Sequence, residues 1–220
     1  MQFNLVQHSR FLAALKYVPS SCKRLLDWGC GDGALSRYLL DRCDSFIGTD
    51  TEREGLDFFE QNLTQYRNKY KLIHLQGDLY HVNEPDHSFD CIVCSDVIEH
   101  VQSPGRLIEE FARLLSKDGV LIITTPYRSS EIPNDPMHVH EFYPGELSRL
   151  LADHFVNTSV HLYQKMLYFS LYTVQWHSRP VIRYVMNILY KLFGYNPLLQ
   201  DESLKNKWDL YSLIVTVSRH

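Results

Sequence analysis

Over the first 125 residues, short apolar runs alternate with stretches whose apolar positions recur every three or four residues. Residues 24–28 (RLLDW), 45–50 (SFIGTD), 72–76, 89–94 (FDCIVC) and 120–125 read as strands. The run 89–94 is apolar except at Asp90, as expected of a strand covered on both faces. Residues 34–41, 52–66 and 106–115 carry helical periodicity, and 116–119 reads as a turn. Strand alternating with helix predicts a parallel sheet flanked on both sides.

The pattern changes further along. Residues 144–154 (PGELSRLLADH) form a capped amphipathic helix, 156–163 a sixth strand and 208–218 (WDLYSLIVTVS) a last one. Residues 165–199 are rich in Tyr, Phe, Leu and Val and read as two helices broken near Ser178-Arg179-Pro180. The expected fold class is α/β: a seven-stranded, mostly parallel, doubly wound sheet with a helical insertion before its last strand. The organisation reads as one domain over 1–220, with an N-terminal helix within 1–20 and an insertion over 165–206 serving as lid or interface. Residues 1–17 are expected to close over a bound cofactor, and His8 is their titratable candidate.

Composition narrows the partners. A net charge of −4 argues against a surface that coats nucleic acid. The start, MQFNLVQHSRF, lacks a charged segment followed by a long apolar run, so no signal peptide is expected. Five cysteines (Cys22, Cys30, Cys43, Cys91 and Cys94) without framework spacing point to reduced thiols and a cytoplasmic setting. Cys91 and Cys94 form a CxxC inside a strand, where they face opposite ways, so they read as core thiols. Gln175, His177, Arg179, Arg183 and Lys191 interrupt the aromatic insertion too often for a membrane span. Pairing of two copies through 165–199 is the alternative to a lid.

The candidate chemistry begins at Asp27-Trp28-Gly29-Cys30-Gly31-Asp32-Gly33. A strand that ends in spaced glycines and opens a helix brings a ligand close to free backbone N–H groups. Gly29, Gly31 and Ala34 also satisfy the dinucleotide pattern, so the glycines alone leave the ligand open. Asp27 and Asp32 bracket the turn. Carboxylates there repel a pyrophosphate but favour S-adenosylmethionine, which carries an ammonium and a sulfonium. Both acids also suit a bland role, capping the turn and the helix. Asp50, 21 residues past Gly29, can accept ribose hydroxyls of either cofactor type. Asp78, in Gly77-Asp78-Leu79 after the third strand, can accept an adenine amino group or simply close a turn.

With these stretches in hand, the chain resembles the class I S-adenosylmethionine-dependent methyltransferases, in particular ubiquinone-type O-methyltransferases. The matching segments are LLDWGCGDG, IGTD, GDL, FDCIVCSDVIEHV and LLSKDGVLIITTP, in family order over roughly residues 20–160. Trp28 departs from the small or aliphatic residue usual there. The resemblance implies a Rossmann-like fold and a cofactor set of Asp27, Gly29, Cys30, Gly31, Gly33, Asp50, Thr51, Gly77, Asp78, Leu79 and Ser95. In that set Asp27 and the glycines hold the methionine end, Asp50 the ribose and Asp78 with Leu79 the adenine. Ser95 sits beside the methyl donor.

Methyl transfer is an in-line displacement, so the protein must align the acceptor, exclude water and, for a hydroxyl, help remove a proton. Three readings stay open. His100, His138 or His140 acts as base or orienting group. Alternatively, Glu99, His100 and His138 bind a divalent metal, since Asp96-x-x-Glu99-His100 resembles the acidic cluster of ubiquinone-type and small-RNA 2′-O-methyltransferases, which usually carry Glu at the place of Asp96. In the third, these residues only cap or pack. The expected activity is methylation of an O or N atom of a small molecule. The rivals are 2′-O-methylation of an RNA end, a nicotinamide-dependent oxidoreductase and a scaffold without turnover.

Overall fold

In the computed structural model, which describes residues 4–77, 79–131, 133, 135–173, 179–199 and 211–220, all seven strands join one sheet. They are β1 (Cys22–Trp28), β2 (Cys43–Asp50), β3 (Tyr70–His74), β4 (Phe89–Ser95), β5 (Leu115–Pro126), β6 (Asn157–Lys165) and β7 (Tyr211–Arg219). Their order is β3-β2-β1-β4-β5-β7-β6. The first five pair in parallel, and β7 lies antiparallel between β5 and β6. The strand order reverses between β1 and β4, which opens a crevice at their carboxyl ends.

Helices α1 (Leu5–Leu15), α2 (Ser36–Leu39) and α3 (Arg53–Asn62) pack on one face of the sheet, and α4 (Pro104–Leu114) and α5 (Pro144–Ala152) on the other. Alternation along β4 divides its side chains between the two layers. Cys91 and Val93 join Leu25, Phe46 and Phe59, whereas Ile92 and Cys94 join Trp28, Phe111 and Leu147. The two cysteines therefore face opposite ways as expected, and all five cysteines are buried and unpaired. Trp28 stands edge-on to Phe111, 5.3 Å between ring centres, so the unusual tryptophan fills the space between sheet and α4.

Several elements differ from the pattern reading: the helix expected over 52–66 ends at Asn62, with a 3₁₀ turn Thr64–Tyr66 after it, and the strand expected at 72–76 is Tyr70–His74. The helix expected over 34–41 is only α2 followed by a single 3₁₀ turn, Leu40–Arg42. Its start winds tightly, because the Tyr38 amide bonds Leu35 O three residues back. The turn at 116–119 lies inside β5 as an irregularity. Pairing jumps from Phe89 with Leu115 to Cys91 with Val120, which leaves those residues opposite Asp90 alone.

The insertion before β7 contains α6 (Met166–Thr173) and α7 (Arg179–Phe193); its remainder at 174–178 and 200–206, with the start of the last expected strand at 208–210, lies outside the described residues. No helix among the described residues is long and apolar enough to cross a membrane. The insertion and the end of β6 together fasten α1. The Leu5 amide donates to Tyr172 Oη at 2.9 Å, and Gln164 Nε2 donates to Val6 O at 2.9 Å and Ser9 Oγ at 2.7 Å.

Candidate active site

The glycine turn leaves the end of β1 and is stitched to β2. Gly29 and Cys30 donate their amides to Thr49 O at 2.8 and 2.9 Å, and Gly31 donates to Asp50 Oδ2 at 2.8 Å. The three glycines differ in what they do. Gly29, at φ +77°, has no room for a side chain, since a Cβ would lie 2.2 Å from Val97 Cγ2. At Gly33, φ +81°, a Cβ would meet Leu63 Cδ1 at 2.6 Å. Gly31 faces open space. Two glycines thus serve packing, and Gly31 is needed for its positive φ of +50° alone.

The acids around the turn divide in the same way. Asp27 is buried beneath it, where Ser36 Oγ donates to its Oδ2 at 2.6 Å. Burial pushes its carboxyl up to about 7; the Ser36 bond opposes this and the charge of Asp50 adds to it. Asp32 Oδ1 accepts the Ala34 amide at 3.1 Å, a turn cap. Cys30 is buried, with its thiol pushed up by burial, and a side chain on Gly48 would strike its Sγ.

In front of the turn lies a cavity of about 460 Å³. Gly29, Asp50, Thr51, Leu79 and His100 from the expected set line it, joined by Trp28, Glu52, Tyr80, Asp96 and Val97. Asp78 lies outside the described residues, and Asp27, Cys30, Gly31, Gly33, Gly77 and Ser95 are not part of this lining. Asp50 already accepts the amides of Gly31 and Glu52, the latter at 2.8 Å on Oδ1. A carboxylate offers about four lone-pair directions, so two remain for a diol. The charge facing the cavity comes from Asp50, Glu52 and Asp96, and no Lys or Arg lines it among the described residues.

The second cluster is assembled by backbone. Val139 and His140 donate their amides to Glu99 O at 2.7 and 3.1 Å, which draws residues 137–141 onto the segment after β4. His100 and His138 rings then meet edge to face at 4.9 Å. His100 Nδ1 lies 3.0 Å from Met137 O and His138 Nδ1 2.8 Å from Glu141 Oε1. Those oxygens accept, so each Nδ1 carries hydrogen and each neutral ring keeps its Nε2 lone pair. Glu99 is buried and accepts Thr125 Oγ1 at 3.0 Å. Burial, and then the charge of Asp96, push its carboxyl up to about 8. One ligand atom from each of Glu99, His100 and His138 falls within 4.8 Å of the others. His140 is not brought in; its Nε2 bonds Glu146 Oε1 at 2.6 Å beside a separate cavity.

Ser95 Oγ sits 2.9 Å from Thr124 Oγ1 at the end of the paired strands. His8 does not line the crevice; its Nε2 lies 2.7 Å from Tyr190 Oη on α7. The residue that α1 does send is Arg10, whose Nη1 lies 3.2 Å from Asp96 Oδ2. Sequence reading missed Arg10, Thr124 and Thr125, and nothing local marks them: Arg10 and Asp96 are 86 positions apart. Asp96 itself has φ +55°, a strained backbone for a non-glycine residue, of the kind that clusters at functional sites.

A reversed strand order, a glycine turn and an acid at the end of β2 are the features with which Rossmann-like folds hold adenosyl cofactors. Residues 26–123 match the family model for a methyltransferase domain. A probable S-adenosylmethionine-dependent methyltransferase of Mycolicibacterium smegmatis is 30% identical over 133 residues, covering 58% of this chain and 49% of that one. A ubiquinone biosynthesis O-methyltransferase of Neisseria meningitidis is 33% identical over 113 residues, covering 47% and 44%. The chain thus spans about half the length of the curated relatives it matches. A solved structure of a SAM-dependent methyltransferase from Archaeoglobus fulgidus superposes with TM-score 0.65 at 18% identity, over 99% of this chain and 95% of the other. The [4+2]-cyclase SpnF does so with TM-score 0.63 at 16% identity, over 97% and 80%, and shares the fold. Over residues 26–123, and in its fold, the chain resembles the class I S-adenosylmethionine-dependent methyltransferases.

Proposed function

We propose that the protein transfers the methyl group of S-adenosylmethionine to an oxygen or nitrogen of a small-molecule acceptor. The observation that carries this is the charge of the crevice, where Asp50, Glu52 and Asp96 face a ligand without a lining Lys or Arg among the described residues. Asp50 and Glu52 oppose a pyrophosphate and favour an ammonium and a sulfonium, while Asp96 is offset by Arg10. In this reading Asp50 takes the ribose diol, Thr51 and Leu79 flank the adenine, Asp78 accepts its amino group, and the glycine turn, through Gly29 in the cavity lining, receives the methionine end. Asp27 supports the turn from beneath. Ser95 lies towards the methyl donor. His100, which lines the crevice with its Nε2 lone pair unspent by Met137, takes the acceptor proton, and His138 stands behind it. An oxygen acceptor suits such a base best, and the likeness to an O-methyltransferase supports it. The buried, unpaired cysteines support a cytoplasmic setting. The insertion covers the acceptor side as a lid, while the outward side of α7 (Tyr184, Leu192, Phe193) suits pairing with a second copy.

Calorimetry against S-adenosylhomocysteine and NAD tests the donor half. S-adenosylhomocysteine is expected to bind, and Asp50→Ala to weaken it at least tenfold, the worth of two charge-assisted hydrogen bonds. Binding of NAD alone would overturn the reading. His100→Ala is expected to lower turnover about 100-fold or more with cofactor affinity unchanged, whereas His140→Ala should have little effect.

A second reading rests on the grouping of Glu99, His100 and His138. The donor set fits a divalent cation: two Nε2 atoms are fixed through their Nδ1 partners, a usual arrangement behind metal-bound histidine, and a carboxyl stands beside them. Such an ion would supply Lewis acidity towards the acceptor oxygen. Glu99 must then give up a proton it otherwise holds to about pH 8, so affinity for the ion should rise with pH. Activity that survives exhaustive chelation would dismiss it.

A further inference from the structure

Behind the crevice lies a second cavity of about 440 Å³, and Asp96 lines both. Its walls come from α1 (Arg10, Phe11), α6 (Phe169, Tyr172) and α7 (Arg183). They are fixed rather than incidental. Tyr172 Oη, besides accepting the Leu5 amide, donates to Asn187 Oδ1 at 3.2 Å, which ties α1, α6 and α7 together. Arg183 lays its guanidinium over the Tyr172 ring, 5.1 Å from the centroid.

Charge separates this cavity from its neighbour. Asp96 is its only acid among the described residues, and Arg10 already pairs with it. Arg10 Nε is buried and has no hydrogen-bond partner. A buried donor left unmade is costly, and a guanidinium edge matches the paired oxygens of a carboxylate or phosphate. Arg183 brings a second cation, and Phe11, Phe169 and Tyr172 offer ring faces.

We infer that this cavity seats the methyl acceptor and selects an aromatic or aliphatic body bearing an anionic group, a carboxylate or phosphate monoester, held by Arg10 and Arg183. The inference rests on the methyl-transfer reading, because that reading makes the far side of Asp96 the place where the acceptor meets the donor. The anionic end then lies between α1 and α7, and the reacting atom points past Asp96 towards His100. The insertion acts as a specificity element through Arg183, not only as a cover.

The test is calorimetric titration of phenyl phosphate, benzoate and the neutral benzyl alcohol into protein saturated with S-adenosylhomocysteine. Both anions are expected to bind at least tenfold more tightly than the alcohol. Arg183→Gln, an exposed position, should weaken phenyl phosphate about tenfold and leave benzyl alcohol and S-adenosylhomocysteine unchanged. Arg10→Lys keeps a cation for Asp96 but lacks Nε, and should weaken the anions likewise. Equal affinity for anions and alcohol, no binding of any probe, or anion binding indifferent to Arg183→Gln would each overturn the inference. If the anions bind as expected to protein that fails to take S-adenosylhomocysteine, the anion site stands and the methyl-transfer reading falls. A normal cofactor isotherm with no preference for anions gives the converse.

Discussion

Gly29→Ala is expected to abolish measurable S-adenosylhomocysteine binding and to lower stability by about 2–4 kcal/mol, read by calorimetry and urea unfolding. Two costs combine. A left-handed backbone conformation costs a residue with Cβ about 1–2 kcal/mol, and Gly29 holds φ +77°. The added methyl would also lie 2.2 Å from Val97 Cγ2, so something must move. Val97 follows Asp96 and precedes the turn carrying Glu99 and His100, so relief displaces the loop that faces the cofactor. Gly31→Ala makes the comparison. Its φ of +50° carries the backbone cost, but no atom lies within 4 Å of its Cβ position. That variant should lose about 1 kcal/mol of stability and keep more cofactor affinity than Gly29→Ala, because Gly31 is not part of the cavity lining. Val97→Ala in the Gly29→Ala background should restore part of the stability. Equal destabilisation at Gly29 and Gly31 would refute the packing account.

Glu99→Gln is expected to flatten the fall in thermal stability between pH 5 and 9. In the fold Glu99 keeps its proton to about pH 8, whereas its ordinary value is 4.5. Between those limits the folded chain binds more protons than the unfolded one, so stability falls as pH rises through the window. Each unit of displacement corresponds to about 1.4 kcal/mol, which sets an upper bound of roughly 5 kcal/mol, with relaxation leaving a few. Asp27 acts in the same direction, from 3.8 to about 7, and Asp27→Asn should remove its share while keeping an acceptor for Ser36. Melting curves at pH 5, 7 and 9 would show this, and parallel pH profiles for wild type and Glu99→Gln would count against it. A bound cation reverses the effect, since it favours the ionised carboxylates. Protons should therefore be released when S-adenosylmethionine or a divalent ion binds near these groups, more at pH 7 than at pH 9.

The legible parts of the chain share a cause. Parallel strands buried on both faces leave continuous apolar runs, and β1, β2, β4 and β5 stand out in exactly that way at 24–28, 45–50, 89–94 and 120–125. Three site elements read from sequence lie directly after such a run: the glycine turn after β1, Asp50 at the end of β2 and His100 just past β4. Helix length was less legible. The stretch at 34–41 has helical spacing, but the glycine turn before it imposes a tight start, and only four residues wind as α-helix. The acids were legible as a group but not in their aim. Asp27 and Asp32 bracket the turn, yet one is buried under it and the other caps it, while Glu52 and Asp96 face the crevice with Asp50.

By itself the sequence determined the alternation of strand and helix, the glycine turn, the acid at the end of β2 and the placing of histidines on carboxyl-edge loops. These follow from local pattern, since burial on both faces and close backbone approach each restrict residue type within a few positions. Only the tertiary structure decided which histidines meet, because Glu99 O gathers the 137–141 segment through two backbone bonds that no side chain announces. Only it brought Arg10 to Asp96 and Arg183 over Tyr172, through a helix fastened by Gln164 and Tyr172 from the far end of the chain. Contacts between elements depend on how whole faces pack, and a face is specified by its many apolar residues rather than by the few polar ones it happens to bring together.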